Sequence, residues 1–178
     1  MRKPAAVRRA EIIEAAGVEF AEHGLAGARL EAIAGRAGVS HPRVVQMFGS
    51  KRGLFLEVLD AAFDKVEAAF EEAERTLPAL GFAYGRLLQA ERTVGLVILH
   101  GYAAAADDGV REAVRERHLG LQEAAGRLTG CDPLQVRTFL ATGLSVTVSI
   151  LLDLPDRRVD AAWSTWLLDL AAPADTPR

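Results

Sequence analysis

Apolar residues recur along the chain at helical rather than strand spacing. Ile12, Ala16 and Phe20 fall every four residues with Ile13 beside them, which predicts a helix from near Arg8 to His23. Gly24 supplies a left-handed stop, with Leu25 folding back on the last turn. A short helix follows, with Leu30, Ile33, Ala34 and Ala37 on its inner side, and Gly38-Val39 turn the chain. Ser40 is placed to cap a third helix that carries Val44 and Phe48 inward, and Pro42 suits its first turn. Gly49 breaks that helix and Ser50 caps the next. Leu54, Phe55, Val58, Leu59, Ala62, Phe63, Val66 and Phe70 then keep a helical period from Lys51 to about Arg75, which Pro78 is expected to close. Further helices are predicted at about 79–88, 93–106 and 110–129, with Asp107-Asp108-Gly109 as a break. Asp132-Pro133 opens another, running to Leu152. A last helix carries Val159, Trp163, Trp166, Leu167 and Leu170 on one face. The pattern yields no strand and no repeat.

The segment from Leu30 to Phe55, LEAIAGRAGVSHPRVVQMFGSKRGLF, has the form of a helix-turn-helix. Ile33, Ala34, Ala37, Val39, Val44 and Phe48 form its expected small core. His41, Arg43, Gln46 and Met47 are left on the opposite side, and Arg43, Gln46 and Met47 share a face by their i, i+3, i+4 spacing. Arg and Gln can each make two hydrogen bonds to a base edge. Lys51 and Arg52 open the following helix, where the helix dipole also favours a phosphate.

Charge distribution agrees with a DNA-facing head. The net charge of −3 argues against a protein that coats nucleic acid over its whole surface. Residues 1–55, however, hold nine Lys/Arg against five Asp/Glu, whereas residues 56–178 hold twelve against nineteen. Ala, Leu, Val, Glu and Arg dominate, a composition that favours helices. No continuous run approaches the ~20 apolar residues that span a bilayer, and the start, Met1-Arg2-Lys3-Pro4, lacks the apolar segment of a secretory signal. The single cysteine, Cys131, cannot form an intrachain disulfide and is expected to act as a small hydrophobe in a reducing cytoplasm.

These motifs resemble the DNA-binding region of the TetR/AcrR family of repressors. The resemblance rests on Ile33-Ala34-Gly35-Arg36-Ala37-Gly38-Val39-Ser40, then Phe48, Ser50-Lys51 and Leu54-Phe55. Ala15-Ala16 and Phe20-Ala21-Glu22-His23-Gly24 fit the preceding helix. The match covers about the first 60 residues and is looser beyond, where Phe139 to Gly143 and Asp153-Leu154-Pro155 are similar to the penultimate helix of some members. The family often has Ser or Thr where Ala28 and Arg29 stand, Tyr where Val45 stands, and Thr where Arg43 stands. The resemblance implies a ligand-responsive dimeric repressor that dimerises through its last two helices.

The expected architecture is therefore all-α. Residues 1–52 form a three-helix helix-turn-helix DNA-binding domain, and residues 53–178 form a helical ligand-sensing and dimerisation domain. Arg29, Ser40, His41, Arg43, Gln46, Met47 and Lys51 are the expected DNA contacts. Phe63, Tyr84, His100 and Tyr102 are candidates for the small-molecule site, although His100 is equally readable as a satisfied core histidine, and the aromatics as simple core. The helix from Phe139 to Leu152 is apolar nearly all round, which calls for burial on more than one side. Phe139, Gly143, Leu144, Leu151, Trp163 and Trp166 are therefore assigned to a homodimer interface. His23, His41, His100 and His118 show no close pairing, so neither metal nor cofactor is expected. An enzyme on a helical bundle would need convergent acids, bases or ligands, and the sequence has no paired Glu-x-x-His and no nucleophile beside a base. The reading is a cytoplasmic regulator, a repressor released from a pseudo-palindromic operator by a small molecule. The alternative is a helical small-molecule-binding or protein-interaction module without DNA binding.

Overall fold

The computed structural model describes residues 4–154. Among them every regular element is a helix: α1 (Ala5–Gly27), α2 (Leu30–Arg36), α3 (His41–Phe48), α4 (Lys51–Glu72), α5 (Leu77–Ala90), α6 (Arg92–Ala103), α7 (Asp108–Thr129) and α8 (Pro133–Leu151). The last helix expected from the sequence, with Trp163 and Trp166, lies outside the described residues. Two compact units emerge. Among the described residues, one comprises 4–64 and 93–117 and the other 65–92 and 118–154. Residues 4–52 all fall in the first unit.

Within the first unit, α1 buries Ile12, Ala15, Ala16 and Phe20. They share a core with Ile33 and Ala34 of α2, Val44 of α3, and Leu54, Phe55, Val58 and Leu59 of α4. Phe20 meets Phe55 edge to face with centroids 5.0 Å apart, the arrangement that aromatic quadrupoles favour. Each fully buried large side chain here is worth about 1.5–3 kcal/mol of transfer free energy, so this cluster outweighs the surface ion pairs around it. Within the second unit, α5 packs on α8, and Phe70 meets Phe139 at 5.8 Å.

Most helix ends lie where the turn chemistry puts them. Asp107 Oδ1 accepts from the amides of Gly109 and Val110 and so caps α7. The bond to Val110, then the nearby Arg52 and last the bond to Gly109, hold this carboxyl below its ordinary pKa against the opposing effect of burial. Asp132 and Gln135 form a capping box at the start of α8. Two expectations need correction. Pro78 does not close α4, which ends at Glu72. It lies in the first turn of α5, where its missing N–H costs nothing, behind Thr76, whose hydroxyl accepts from Ala79. Helix α8, moreover, is long and apolar enough to cross a membrane by length and composition. Counting uninterrupted apolar residues misses this, because Thr138, Thr142, Gly143 and Ser145 break the run without adding charge, and Arg137 is the one ionised side chain in its 19 residues.

Candidate nucleic-acid interface

The turn between α2 and α3 is fixed by backbone bonds at the end of α2. Val39 N–H donates to the Ala34 carbonyl at 3.0 Å and Gly38 N–H to that of Gly35 at 3.2 Å, the paired bonds of a Schellman stop. Gly38 has φ +63°, a left-handed conformation that a Cβ would disfavour. Ser40 is the N-cap of α3, but its hydroxyl makes no capping bond. The reason is local. Pro42 removes one first-turn donor, and Arg43 N–H donates instead to the Ser40 carbonyl at 3.0 Å. The Ser40 side chain is left exposed beside α3.

Of the six residues expected to form the small core, Ile33, Ala34 and Val44 are buried, Val44 at 1% exposure. Ala37, Val39 and Phe48 are half-buried. Phe48 instead takes the Arg9 guanidinium over its ring at 4.7 Å, and Arg9 also pairs with Glu57 at 2.6 Å.

Two side chains tie the entry of α2 to its neighbours. Glu19 is only 4% exposed, and its carboxylate accepts from Arg29 N–H at 3.1 Å. It supplies the acceptor that Ala28 and Arg29 lack. Sequence reasoning passed over Glu19, although an acid among Ala15, Ala16 and Phe20 on a buried face was the available signal. Lys51 Nζ donates to the carbonyls of Ala26 and Ala28, both at 3.0 Å. Two of its three N–H groups thus serve the corner between α1 and α2.

On the outer side of α3, Arg43 Nη1 donates to Gln46 Oε1 at 2.8 Å. Gln46 is exposed, Arg43 and Met47 are half-buried, and Val45 adds an exposed apolar side chain absent from the expected contacts. His41 is half-buried with Nδ1 3.7 Å from Glu31. Arg29 is exposed.

The remaining candidates divide between the units. Phe63, His100 and Tyr102 fall in the first and Tyr84 in the second. Phe63 is fully buried, and His100 Nε2 donates to the Ala21 carbonyl at 3.2 Å. Thr147 donates to the Gly143 carbonyl at 2.8 Å, so the Tyr84 hydroxyl, 2.7 Å away, donates to Thr147. Burial raises the Tyr84 phenol above its ordinary pKa. Glu19, Glu22 and His23 bring possible metal donors within 4.8 Å of one another. Glu19 already serves Arg29, however, and Glu22 lies 3.7 Å from Arg36. On α8, Phe139 is 6% exposed and packed on Phe70, and the Tyr84 ring lies 4.0 Å from where a Cβ on Gly143 would stand. Both residues are turned inward within their unit. Leu144 is 48% exposed and Leu151 half-buried, while Trp163 and Trp166 lie outside the described residues.

A three-helix head that presents Arg43 and Gln46 from the second helix of a helix-turn-helix defines a class, the helix-turn-helix DNA-binding proteins. Residues 12–58 match the family described as bacterial regulatory proteins, tetR family. The chain is 39% identical over 75 residues to the HTH-type transcriptional activator FasR of Mycolicibacterium smegmatis, covering 42% of this chain and 34% of that protein. It is 44% identical over 59 residues to an HTH-type transcriptional repressor of Streptomyces coelicolor, covering 33% of this chain and 30% of that one. The matched segments thus span about a third of these curated relatives. Among solved structures, a TetR-like transcriptional regulator from Rhodococcus sp. RHA1 superposes with TM-score 0.73 at 21% identity, covering 96% of both chains. The transcriptional regulator FadR from Bacillus subtilis, solved with stearoyl-CoA, does so with TM-score 0.64 at 22% identity, covering 91% of this chain and 96% of that one. The N-terminal segment is thus similar to the tetR family of bacterial regulatory proteins over residues 12–58, and the chain as a whole has the fold of TetR-like regulators.

Proposed function

We propose that this protein is a DNA-binding transcriptional regulator that works as a homodimer in the cytoplasm and leaves its operator when a small molecule binds. The observation that carries the reading is α3 itself. It buries Val44 against the head while Arg43 and Gln46 face outward, the arrangement a helix needs to enter the major groove. Ser40, His41 and Met47 flank that surface, and Arg29 and Lys51 bring positive charge to its margins for phosphates. Division of labour follows the sequence, with residues 1–52 on DNA and residues 53–178 for dimerisation and sensing.

The dimer is supported by an exposed stripe on α8 that is apolar apart from Arg137. Leu134, Ala141, Leu144, Val148 and Leu152 fall on one side of the helix, away from Phe139 and Gly143. A two-fold dimer presents two recognition helices and therefore selects a pseudo-palindrome. The small-molecule reading is supported by FadR, solved with stearoyl-CoA in a similar fold. Phe63, His100 and Tyr102 in the first unit, and separately Tyr84 in the second, are the residues proposed for sensing. The effector acts only as far as it binds the DNA-free arrangement better than the DNA-bound one.

Footprinting of the purified protein on DNA flanking its own gene, at several salt concentrations, tests the proposal. Protection of a two-fold site, weakening steeply with salt, is expected. No binding even at low salt would leave the helical module without DNA binding as the better reading, and binding with no protected sequence would overturn the operator.

A further inference from the structure

We propose that Arg43 and Gln46 read DNA as one donor-dominated unit, selecting guanine beside guanine or thymine and disfavouring adenine at the Gln46 position. The inference rests on the DNA-binding reading above and narrows it to a base class. A free glutamine side chain reads adenine by accepting from the N6 amino group and donating to N7. Here the Gln46 Oε1 is already engaged, since Arg43 Nη1 donates to it at 2.8 Å. The two residues stand one helical turn apart on α3, and among the described residues no competing bond holds either side chain in place.

What the pair offers a base edge follows from its inventory. A guanidinium has five N–H groups, of which one is spent on Gln46, and the amide retains its two. All of these are donors. The second lone pair of Oε1 survives, but an amino group approaching it would bring its N–H against the guanidinium, cation beside donor. Adenine N6 and cytosine N4 present amino groups in the major groove, whereas guanine N7 and O6 and thymine O4 present only acceptors. The cationic donor also makes the Arg43–Gln46 bond of the stronger, charge-assisted kind, and exclusion of water in a groove strengthens it further. Guanine takes Arg43, and guanine or thymine takes Gln46.

Selection from randomised duplexes with the full-length protein, its Gln46→Ala variant and its Arg43→Met variant tests this. Gln46→Ala should flatten one position per half-site, which identifies the position Gln46 reads. In wild type that position should favour guanine or thymine over adenine by at least about fivefold, the low end of a bidentate contact. Arg43→Met frees the amide oxygen, so the same position should turn toward adenine while a neighbouring guanine loses its preference. Adenine at that position in wild type, no position altered by Gln46→Ala, or an Arg43→Met variant with the Gln46 position unchanged would each overturn the proposal. If Arg43→Met fails to bind or fold, the wild type and Gln46→Ala comparison still decides. A wild type that enriches no sequence would instead remove the regulator reading on which the proposal stands.

Discussion

The imidazole Nε2 of His100 lies 3.2 Å from the carbonyl oxygen of Ala21, which joins α6 to α1 within the first unit. A carbonyl only accepts, so Nε2 carries the proton and Nδ1 is left on the other edge of the ring. That edge fills the space beside Gly24, where a Cβ would meet Nδ1 at 2.9 Å. Gly24 has φ +65° and ψ −178°, a region nearly confined to glycine. Gly24→Ala should therefore destabilise the protein by roughly 1–3 kcal/mol from backbone strain, with the displaced imidazole adding to it. Gly85→Ala supplies the control. Gly85 is helical, and a Cβ there meets nothing within 4 Å, so a gain of about 0.5–1 kcal/mol is expected. Urea unfolding of both variants checks the contrast, and equal effects would refute this account of Gly24.

Glu19 should prove structural through its carboxylate. Glu19→Ala removes a buried acceptor from Arg29 N–H and should cost about 1.5–3 kcal/mol, the range for hydrogen bonds to charged groups. Glu19→Gln keeps an acceptor of the same reach and should cost less. If the two variants unfold at the same urea concentration, the Arg29 bond contributes little.

Lys51 is asked to serve two ends. Its bonds to Ala26 and Ala28 hold the α1–α2 corner, while its charge is proposed to stand at the margin of the DNA surface. Lys51→Ala should lower stability by about 0.5–1.5 kcal/mol, because water can replace the ammonium at these partly exposed carbonyls. It should also weaken binding to all sequences alike and lower the salt slope by about one unit for each phosphate that Lys51 neutralises in each subunit. A lower Tm with an unaltered salt slope would make Lys51 an internal strut alone.

These residues show how far the sequence could be read. The helix-turn-helix was legible because Gly38, Ser40, Gly49 and Ser50 punctuate it and Ile33, Ala34 and Val44 supply a period. Punctuation misleads where one residue suits either end of a helix, as Pro78 does between α4 and α5. Long-range pairings were not legible. Nothing local places Glu19 against the Arg29 amide, Lys51 against Ala26, or His100 against Ala21, since these depend on how helices cross. The face of α8 was also hidden, because periodicity fails in a helix apolar all round, and only packing on α5 separates Phe139 from Leu144.

Alkaline pH should weaken the second unit through Tyr84. Burial raises its folded-state pKa above 10, its ordinary value. The protonated phenol therefore contributes stability that is complete below about pH 10 and is lost as pH rises through the higher folded value. Tyr84→Phe should cost about 0.5–1.5 kcal/mol at neutral pH through the missing bond to Thr147. Its stability should then fall less steeply than that of wild type above about pH 10. Parallel pH–stability curves for the two proteins would show that Tyr84 titrates as it does in the unfolded chain.

The proposed homodimer makes the sharpest demand on α8, where two large apolar positions should respond in opposite ways. Leu144 is 48% exposed in the single chain, so a charge there costs the folded protomer little. In a two-fold interface the same Leu144→Glu change brings a carboxylate from each subunit into an apolar seam, where burial without a partner is expensive. Monomers are expected, with each head still folded. Operator affinity should fall steeply, because the second head no longer binds as part of one molecule. Phe139, 6% exposed and packed on Phe70, is the counter-case. Phe139→Glu should unfold the second unit rather than merely separate subunits. Sedimentation velocity with circular dichroism distinguishes the two. A wild-type monomer, or a Leu144→Glu protein that remains dimeric, would rule out the α8 stripe as the seam.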